Sequence, residues 1–282
     1  MSEFVAHPEH GVAWITGAST GIGRALALEL VGEGYTVVVT ARDHEKLVDL
    51  GHTAPGPGRI VVLDGDVTDP RDVERIVAAI EYEHGALALA IFNAGVFIPV
   101  HGENLHREDF DKTFAVNLHG VVNCLIPAVR HMKEKGHGQI AIVSSVTGYA
   151  GLPTSAAYGA TKAALINMAE SLKFDLDKLN IRIQIINPGF VDTPATADNA
   201  FSMPFLISPE EAAKRIAGGL KAPGFEITFP KRFTWQLKAL RLLPYSLYFW
   251  LMNRQTKWKD RPLETTGTPH ADAGRPMSDQ AV

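Results

Sequence analysis

Thr16-Gly17-Ala18-Ser19-Thr20-Gly21-Ile22-Gly23 stands between Val12-Ala13-Trp14-Ile15 and Arg24-Ala25-Leu26-Ala27-Leu28-Glu29-Leu30. The upstream run is short and apolar, as a strand covered on both faces is. The downstream run repeats apolar residues at helical spacing. Strand, glycine-rich turn and helix in that order make a cradle for a pyrophosphate. Glycines let the main chain come close to it, and free N–H groups at the helix start meet its charge. The spacing is G-x-x-x-G-x-G rather than the common G-x-G-x-x-G. Three glycines alone also fit a plain tight turn; the flanking strand and helix favour the phosphate site. Gly17, Ser19, Thr20, Gly21, Ile22 and Gly23 are therefore candidate cofactor-binding residues.

Outward from this turn, apolar runs alternate with amphipathic stretches. The pattern predicts strands over 12–16, 36–40, 59–63, 87–92, 139–144, 181–186 and 225–229, with helices beginning near Ile22, Asp43, Pro70, Arg107, Ala157 and Pro209. Thr68-Asp69-Pro70 and Ser208-Pro209-Glu210-Glu211 carry helix-start chemistry: a side-chain oxygen, then proline in the first turn, with acids where the dipole favours them. Repeated β-α-β units give an α/β fold, a doubly wound, mainly parallel seven-stranded sheet of Rossmann type. The expected organisation is an N-terminal tail over 1–10, one nucleotide-binding catalytic domain over 11–230, a basic amphipathic extension over 231–262 and a disordered tail over 263–282.

The composition excludes several classes. With 46% hydrophobic and 21% charged residues and a net charge of −4, the 282-residue chain is neither disordered nor globally nucleic-acid-binding. The single cysteine, Cys124, excludes an internal disulfide. Met1-Ser2-Glu3-Phe4 has no basic region leading into an apolar run, and no uncharged apolar stretch reaches the roughly 18 residues a spanning helix needs. A cytoplasmic location is expected. The histidines, among them His101, His106, His131 and His137, lack ligand spacing and read as solvated loop and helix-end residues rather than a metal site.

The ribose-selecting position should follow the second strand. An acid there would accept from a 2′-hydroxyl. The chain instead has Thr40-Ala41-Arg42, small side chains and then a guanidinium suited to a 2′-phosphate. This favours NADP(H), with NAD(H) second. The plainer reading of Arg42 is an exposed arginine opening a helix beside Asp43.

Tyr158-Gly159-Ala160-Thr161-Lys162 places a phenol and an ammonium on one helical face. The ammonium should favour phenolate and lower a pKa normally near ~10, so that the tyrosine can exchange a proton. Such pairs are also common on helix surfaces. In chain order, however, the sequence holds the turn 16–23, Asn93-Ala94-Gly95, Asn117, Ser145, Tyr158-x-x-x-Lys162 and Pro188-Gly189. In this combination the chain resembles the short-chain dehydrogenase/reductase family in its single-domain form, from residue 11 to about 230.

The resemblance implies a role for each matching residue. Tyr158 would be general acid in reduction and base in oxidation, and Lys162 would tune it and hold the nicotinamide ribose. Ser145 would hydrogen-bond the substrate oxygen. Asn117 would help hold a water chain from Lys162, or simply bridge backbone groups. Asn93, Ala94 and Gly95 would pack under the cofactor, and Asp66 and Val67 would border the adenine. Pro188, Gly189, Val191 and Thr193 would border the nicotinamide, with Thr193 reaching its carboxamide. The expected activity is interconversion of a carbonyl and an alcohol on a hydrophobic small molecule, by a homodimer or homotetramer. A non-catalytic NADP(H)-binding sensor or scaffold is the alternative.

Between Thr193 and Ser208 only a short apolar segment stands where a lid would be. Residues 231–261 hold eight of the chain's 27 basic residues and one of its 31 acids. Over 231–252 these alternate with Phe233, Trp235, Tyr245, Tyr248, Phe249 and Trp250, broken by Pro244. That pattern suits peripheral contact with a membrane interface, or a helical extension packed over the substrate mouth or a second subunit. Nucleic acid is not an expected partner.

Overall fold

The computed structural model describes residues 3–196, 203 and 205–263. Strands β1 (Val12–Thr16), β2 (Thr36–Thr40), β3 (Arg59–Val62), β4 (Leu87–Phe92), β5 (Gly138–Val143), β6 (Ile181–Pro188) and β7 (Glu226–Phe229) form one sheet in the order β3-β2-β1-β4-β5-β6-β7. Every pairing is parallel. The seven expected strands are present. β6 runs on to Pro188 because Asn187 and Pro188 keep register with Thr228 and Phe229. β5 stops at Val143, which leaves Ser144 and Ser145 beyond the strand end.

Both faces of the sheet are covered, which is why its central strands read as unbroken apolar runs. α1 (Gly21–Gly32), α2 (His44–Thr53) and α7 (Pro209–Lys221) bury Leu26, Leu47 and Ile216 on one face. On the other, α3 (Pro70–Ala79) packs with the helices after β4 and β5, burying Ile76, Leu125 and Leu165. Asp69, not Thr68, caps α3 by accepting from Arg71 N at 2.9 Å. Ser208 caps α7 by accepting from Glu211 N at 3.2 Å.

The strand order reverses between β1 and β4, and there the crossovers leave to opposite sides. A crevice at the carboxyl ends of the strands follows from that topology. The stretch after β4 is α4 (Arg107–Phe114), a π turn at Ala115–His119 and then α5 (Gly120–Lys135). α6 (Ala156–Leu176) follows β5.

His131 departs from the solvated reading. It is buried on α5, accepts from Leu87 N at 2.9 Å through Nε2 and meets Glu81 at 2.7 Å through Nδ1. Among the described residues no cluster could hold a metal ion. Cys124 is buried in the core, where desolvation pushes its thiol pKa up.

Two further helices, α8 (Lys231–Arg241) and α9 (Tyr245–Thr256), are divided at Pro244. Their inner sides bury Phe233, Leu237, Tyr248 and Met252, and the Tyr248 hydroxyl donates to Gly151 O at 2.5 Å. Their outer sides expose Trp235, Leu242, Tyr245, Phe249 and Trp250. Not all of the basic charge is solvated: Lys238 pairs with Glu226, and Arg261 pairs with Glu103. No helix among the described residues is long and apolar enough to cross a membrane. The expected tail falls, beyond Leu263, outside the described residues, as does most of the segment between Thr196 and Phe205.

Candidate active site

The glycine turn is pinned from the sheet side. Gly17 N and Ala18 N donate to Thr40 O at 2.8 and 3.3 Å, tying the turn to the end of β2. Asn93, at the end of β4, donates through Nδ2 to Thr16 O and Gly17 O at 3.2 and 3.0 Å. The Thr16 hydroxyl accepts from Asn93 N and Ala94 N. Gly17 has φ +67, and a Cβ there would stand 2.7 Å from Ala94 Cα. At Gly23 a Cβ would meet Gly17 O at 2.3 Å. The turn closes on itself only without side chains at these two positions.

A small pocket beside the turn is bordered by Ser19, Arg42, Asp66, Val67 and Gly95. Arg42 lies exposed at its lip, and its neighbour Asp43 caps α2 and pairs with Lys46 at 2.8 Å. Asp66 is half-buried. Its Oδ1 accepts from Thr68 N and Oγ1, both at 2.8 Å, so one carboxylate oxygen shapes the loop while the residue still lines the pocket.

A second pocket, of about 80 Å³, brings together Ile22 of the turn with Ser145, Tyr158, Lys162, Pro188 and Thr193. Tyr158 and Lys162 lie one turn apart on α6, with the Lys162 Nζ 5.3 Å from the phenol ring centroid. That ammonium is buried and donates to Val143 O at 2.9 Å. A Cβ on Gly95 would stand 3.4 Å from Asn117 Oδ1 and 3.6 Å from Lys162 Nζ, so both polar groups converge on that glycine. Asn117 sits in the π turn, a bulge of the kind often found at functional sites. Its Oδ1 accepts from Val96 N at 2.7 Å, and its Nδ2 donates to Val96 O at 2.9 Å and to Thr161 Oγ1 at 3.3 Å. The side chain therefore bridges the Val96 main chain and the Thr161 hydroxyl.

The direction of the tyrosine shift corrects the expectation. Burial pushes the Tyr158 phenol up to about 12, with Ser145 pulling the other way by hydrogen bonding. Burial also brings Lys162 down to about 7. The sequence reading weighed only the ammonium's charge beside the phenol. Desolvation disfavours the charged form of each group, and it is the leading cause of both shifts.

Residues 11–202 match the family described as short chain dehydrogenase. The chain belongs to this family. An uncharacterised oxidoreductase of Myxococcus xanthus is 33% identical over 245 residues, covering 86% of this chain and 97% of its own. The 3-oxoacyl-[acyl-carrier-protein] reductase of Thermotoga maritima is 35% identical over 189 residues, 67% of this chain and 77% of that one. Among solved structures, a short chain dehydrogenase from Burkholderia cenocepacia in complex with NADP is similar, with a TM-score of 0.74, 26% identity and coverage of 86% of this chain and 97% of that one. A 3-ketoacyl-(acyl-carrier-protein) reductase from Brucella melitensis complexed with NADH has a TM-score of 0.70 at 26% identity, covering 78% and 96%. The chain is an oxidoreductase of this family.

Around this short chain dehydrogenase core the structure adds residues that spacing did not single out. Phe97 packs edge-on against Tyr158, with centroids 5.2 Å apart. Thr147 lines the tyrosine pocket, and its hydroxyl is buried without a hydrogen-bond partner. Leu152 and Phe190 form an apolar wall on the other side. Thr193 is buried with its methyl against Gly21, so the loop after β6 touches the glycine turn. Behind the wall, Glu226 on β7 accepts from Tyr149, from Asn187 at 2.7 Å and from Lys238 of α8. Burial works to raise the Glu226 carboxyl, but these partners outweigh it and hold it below the ordinary range. The only advance signal for this cluster was an acid opening β7 and Lys238 interrupting an aromatic helix.

Proposed function

We propose that the chain interconverts a carbonyl and an alcohol on a hydrophobic substrate with NADP(H), NAD(H) being the weaker alternative. The observation that carries this reading is one pocket holding Tyr158, Ser145 and Lys162 together with Ile22 of the glycine turn. The residues present fit a nicotinamide dinucleotide. The side-chain-free faces of Gly17 and Gly23 and the amino end of α1, with Ser19, Thr20 and Gly21, suit a pyrophosphate. Asp66 and Val67 border the adenine end beside Asn93, Ala94 and Gly95. Arg42 suits a 2′-phosphate, while Pro188, Gly189, Val191 and Thr193 border the nicotinamide end.

When bound, the dinucleotide supplies or accepts the hydride. In reduction the Tyr158 phenol, neutral at physiological pH, gives its proton to the substrate oxygen. The Ser145 hydroxyl donates to the same oxygen and stabilises its developing charge. Lys162 would hold the ribose hydroxyls and pass a proton to the phenol, and Asn117 holds the π turn behind both to Val96 and Thr161.

Thermal stability with NADPH, NADH or neither tests the cofactor assignment. A ligand at a hundredfold excess over its Kd stabilises the native state by about 2.7 kcal/mol. The larger rise is expected with NADPH, and Arg42→Ala should narrow the gap. A larger rise with NADH would overturn the role given to Arg42. NADPH binding without oxidation by any carbonyl in a broad panel would favour a non-catalytic sensor instead.

The outer sides of α8 and α9 favour one addition. Trp235, Tyr245, Phe249 and Trp250 are exposed beside Lys231, Arg232, Arg241 and Arg254, a pattern that suits an anionic lipid surface. Phosphatidylserine vesicles should co-sediment the protein, and the double variant Trp235→Ser, Trp250→Ser should stay in solution. Equal partitioning of the two would remove the membrane contact.

A further inference from the structure

The tyrosine pocket is the smaller of two neighbouring spaces. It measures about 80 Å³. Beyond its Leu152–Phe190 wall lies a cavity of about 940 Å³, and those two residues line both spaces. Small-molecule pockets range over roughly 300–1,000 Å³, so the second cavity is at the large end. Its walls are apolar: Phe205, Phe233, Leu237, Leu240, Leu243 and Met252, supplied mainly by α8 and α9. Phe233 packs against that wall from the larger side, with its ring centroid 5.6 Å from Phe190 and 6.1 Å from Phe205. Its polar members Gln236, Gln255 and Lys257 are exposed and mark the mouth.

We propose that this cavity holds the aliphatic chain of the substrate, so that the enzyme acts on straight-chain carbonyls and alcohols of medium to long chain. The inference rests on the carbonyl chemistry proposed at Tyr158. A boundary shared with the catalytic pocket at Leu152 and Phe190 and an apolar lining point to an alkyl or acyl chain as the occupant. The wall is held in place in advance. Lys238 ties α8 to Glu226, Tyr149 ties the loop after Ser145 to the same carboxylate, and Tyr248 ties α9 to Gly151. An apolar chain entering a preformed apolar cavity gains its full transfer free energy with little ordering of the protein.

The test is a series of straight-chain aldehydes from butanal to dodecanal, reduced with NADPH. The expected result is a rise in kcat/KM of up to about fourfold per added methylene until the cavity is filled. Leu240→Trp, which narrows the cavity from its α8 wall, should flatten the series at the long end by about tenfold or more and leave butanal unchanged. If that variant no longer shows thermal stabilisation by NADPH, Ala239→Phe on the exposed part of the same wall gives the same readout. A flat series in the wild type, or an unchanged series in the narrowed variant, overturns the proposal while the reductase reading stands. If no aldehyde is reduced, the carbonyl chemistry fails, and the cavity is judged by binding alone. Stabilisation by 1-dodecanol but not 1-butanol, lost in Leu240→Trp, supports it; equal or absent stabilisation overturns it.

Discussion

Replacing Tyr158 with phenylalanine is expected to cut carbonyl turnover by about 10²–10⁴-fold while leaving thermal stabilisation by NADPH in place. The substitution removes one hydroxyl and keeps the ring, which stays packed edge-on against Phe97. The pocket should keep its shape, and the loss should fall on kcat. Near-wild-type turnover in Tyr158→Phe would assign the proton to another group. The pH dependence of the wild type gives an independent check. Burial raises the Tyr158 pKa to about 12, so the phenol stays protonated through the neutral range and reduction needs no ionisation there. Oxidation needs the phenolate, whose fraction grows about tenfold per pH unit below the pKa. The oxidation rate should therefore climb as pH rises above neutral, while reduction is insensitive to this group. An oxidation rate flat over the same range would exclude Tyr158 as the base.

What could be read in advance depended on whether the physics was local. The strands were legible because a parallel sheet buried on both faces leaves no polar alternation in sequence, as in Leu87-Ala88-Leu89-Ala90-Ile91-Phe92. The glycine turn was legible because strand, turn and helix are contiguous. Tyr158 and Lys162 were legible as a pair because i and i+4 share a helical face. The sign of the tyrosine shift was not, since it is set by burial under loops that close from β4, β5 and β6. Asn117 shows the same limit. Its place between Val96 and Thr161 depends on a π turn, one extra residue in a helix that no periodicity in 107–135 marks. Lys238 is the instructive error of emphasis. Its neighbours suggested a cation flanking a membrane contact, yet it meets a carboxylate from β7 and lies 5.1 Å over the Tyr149 ring. Composition reports the charge of a segment, whereas only the fold decides which charges it spends internally.

Gly23→Ala should abolish cofactor binding, and its loss of binding separates a phosphate cradle from a plain helix start. On helix propensity alone, alanine is favoured over glycine in a helix by about 1 kcal/mol, so the variant would be more stable. The local geometry reverses that sign. The new Cβ would lie 2.3 Å from Gly17 O and 2.6 Å from Asn93 Nδ2. Gly17 O is main chain, and the Asn93 amide is already donating to that oxygen and to Thr16 O. Neither can move without opening the turn, and overpacking of this kind costs about 1–3 kcal/mol. The free protein should therefore lose stability, and the rise in stability with NADPH should disappear. Gly32→Ala at the other end of α1 is the matched control, because nothing stands within 4 Å of its added Cβ. It carries the same propensity gain without the clash, and should bind NADPH as the wild type does. If Gly23→Ala also binds normally, the amino end of α1 is not where the pyrophosphate sits. Loss of binding in Gly23→Ala with retention in Gly32→Ala would locate the dinucleotide at the turn by steric means alone, independently of any activity measurement.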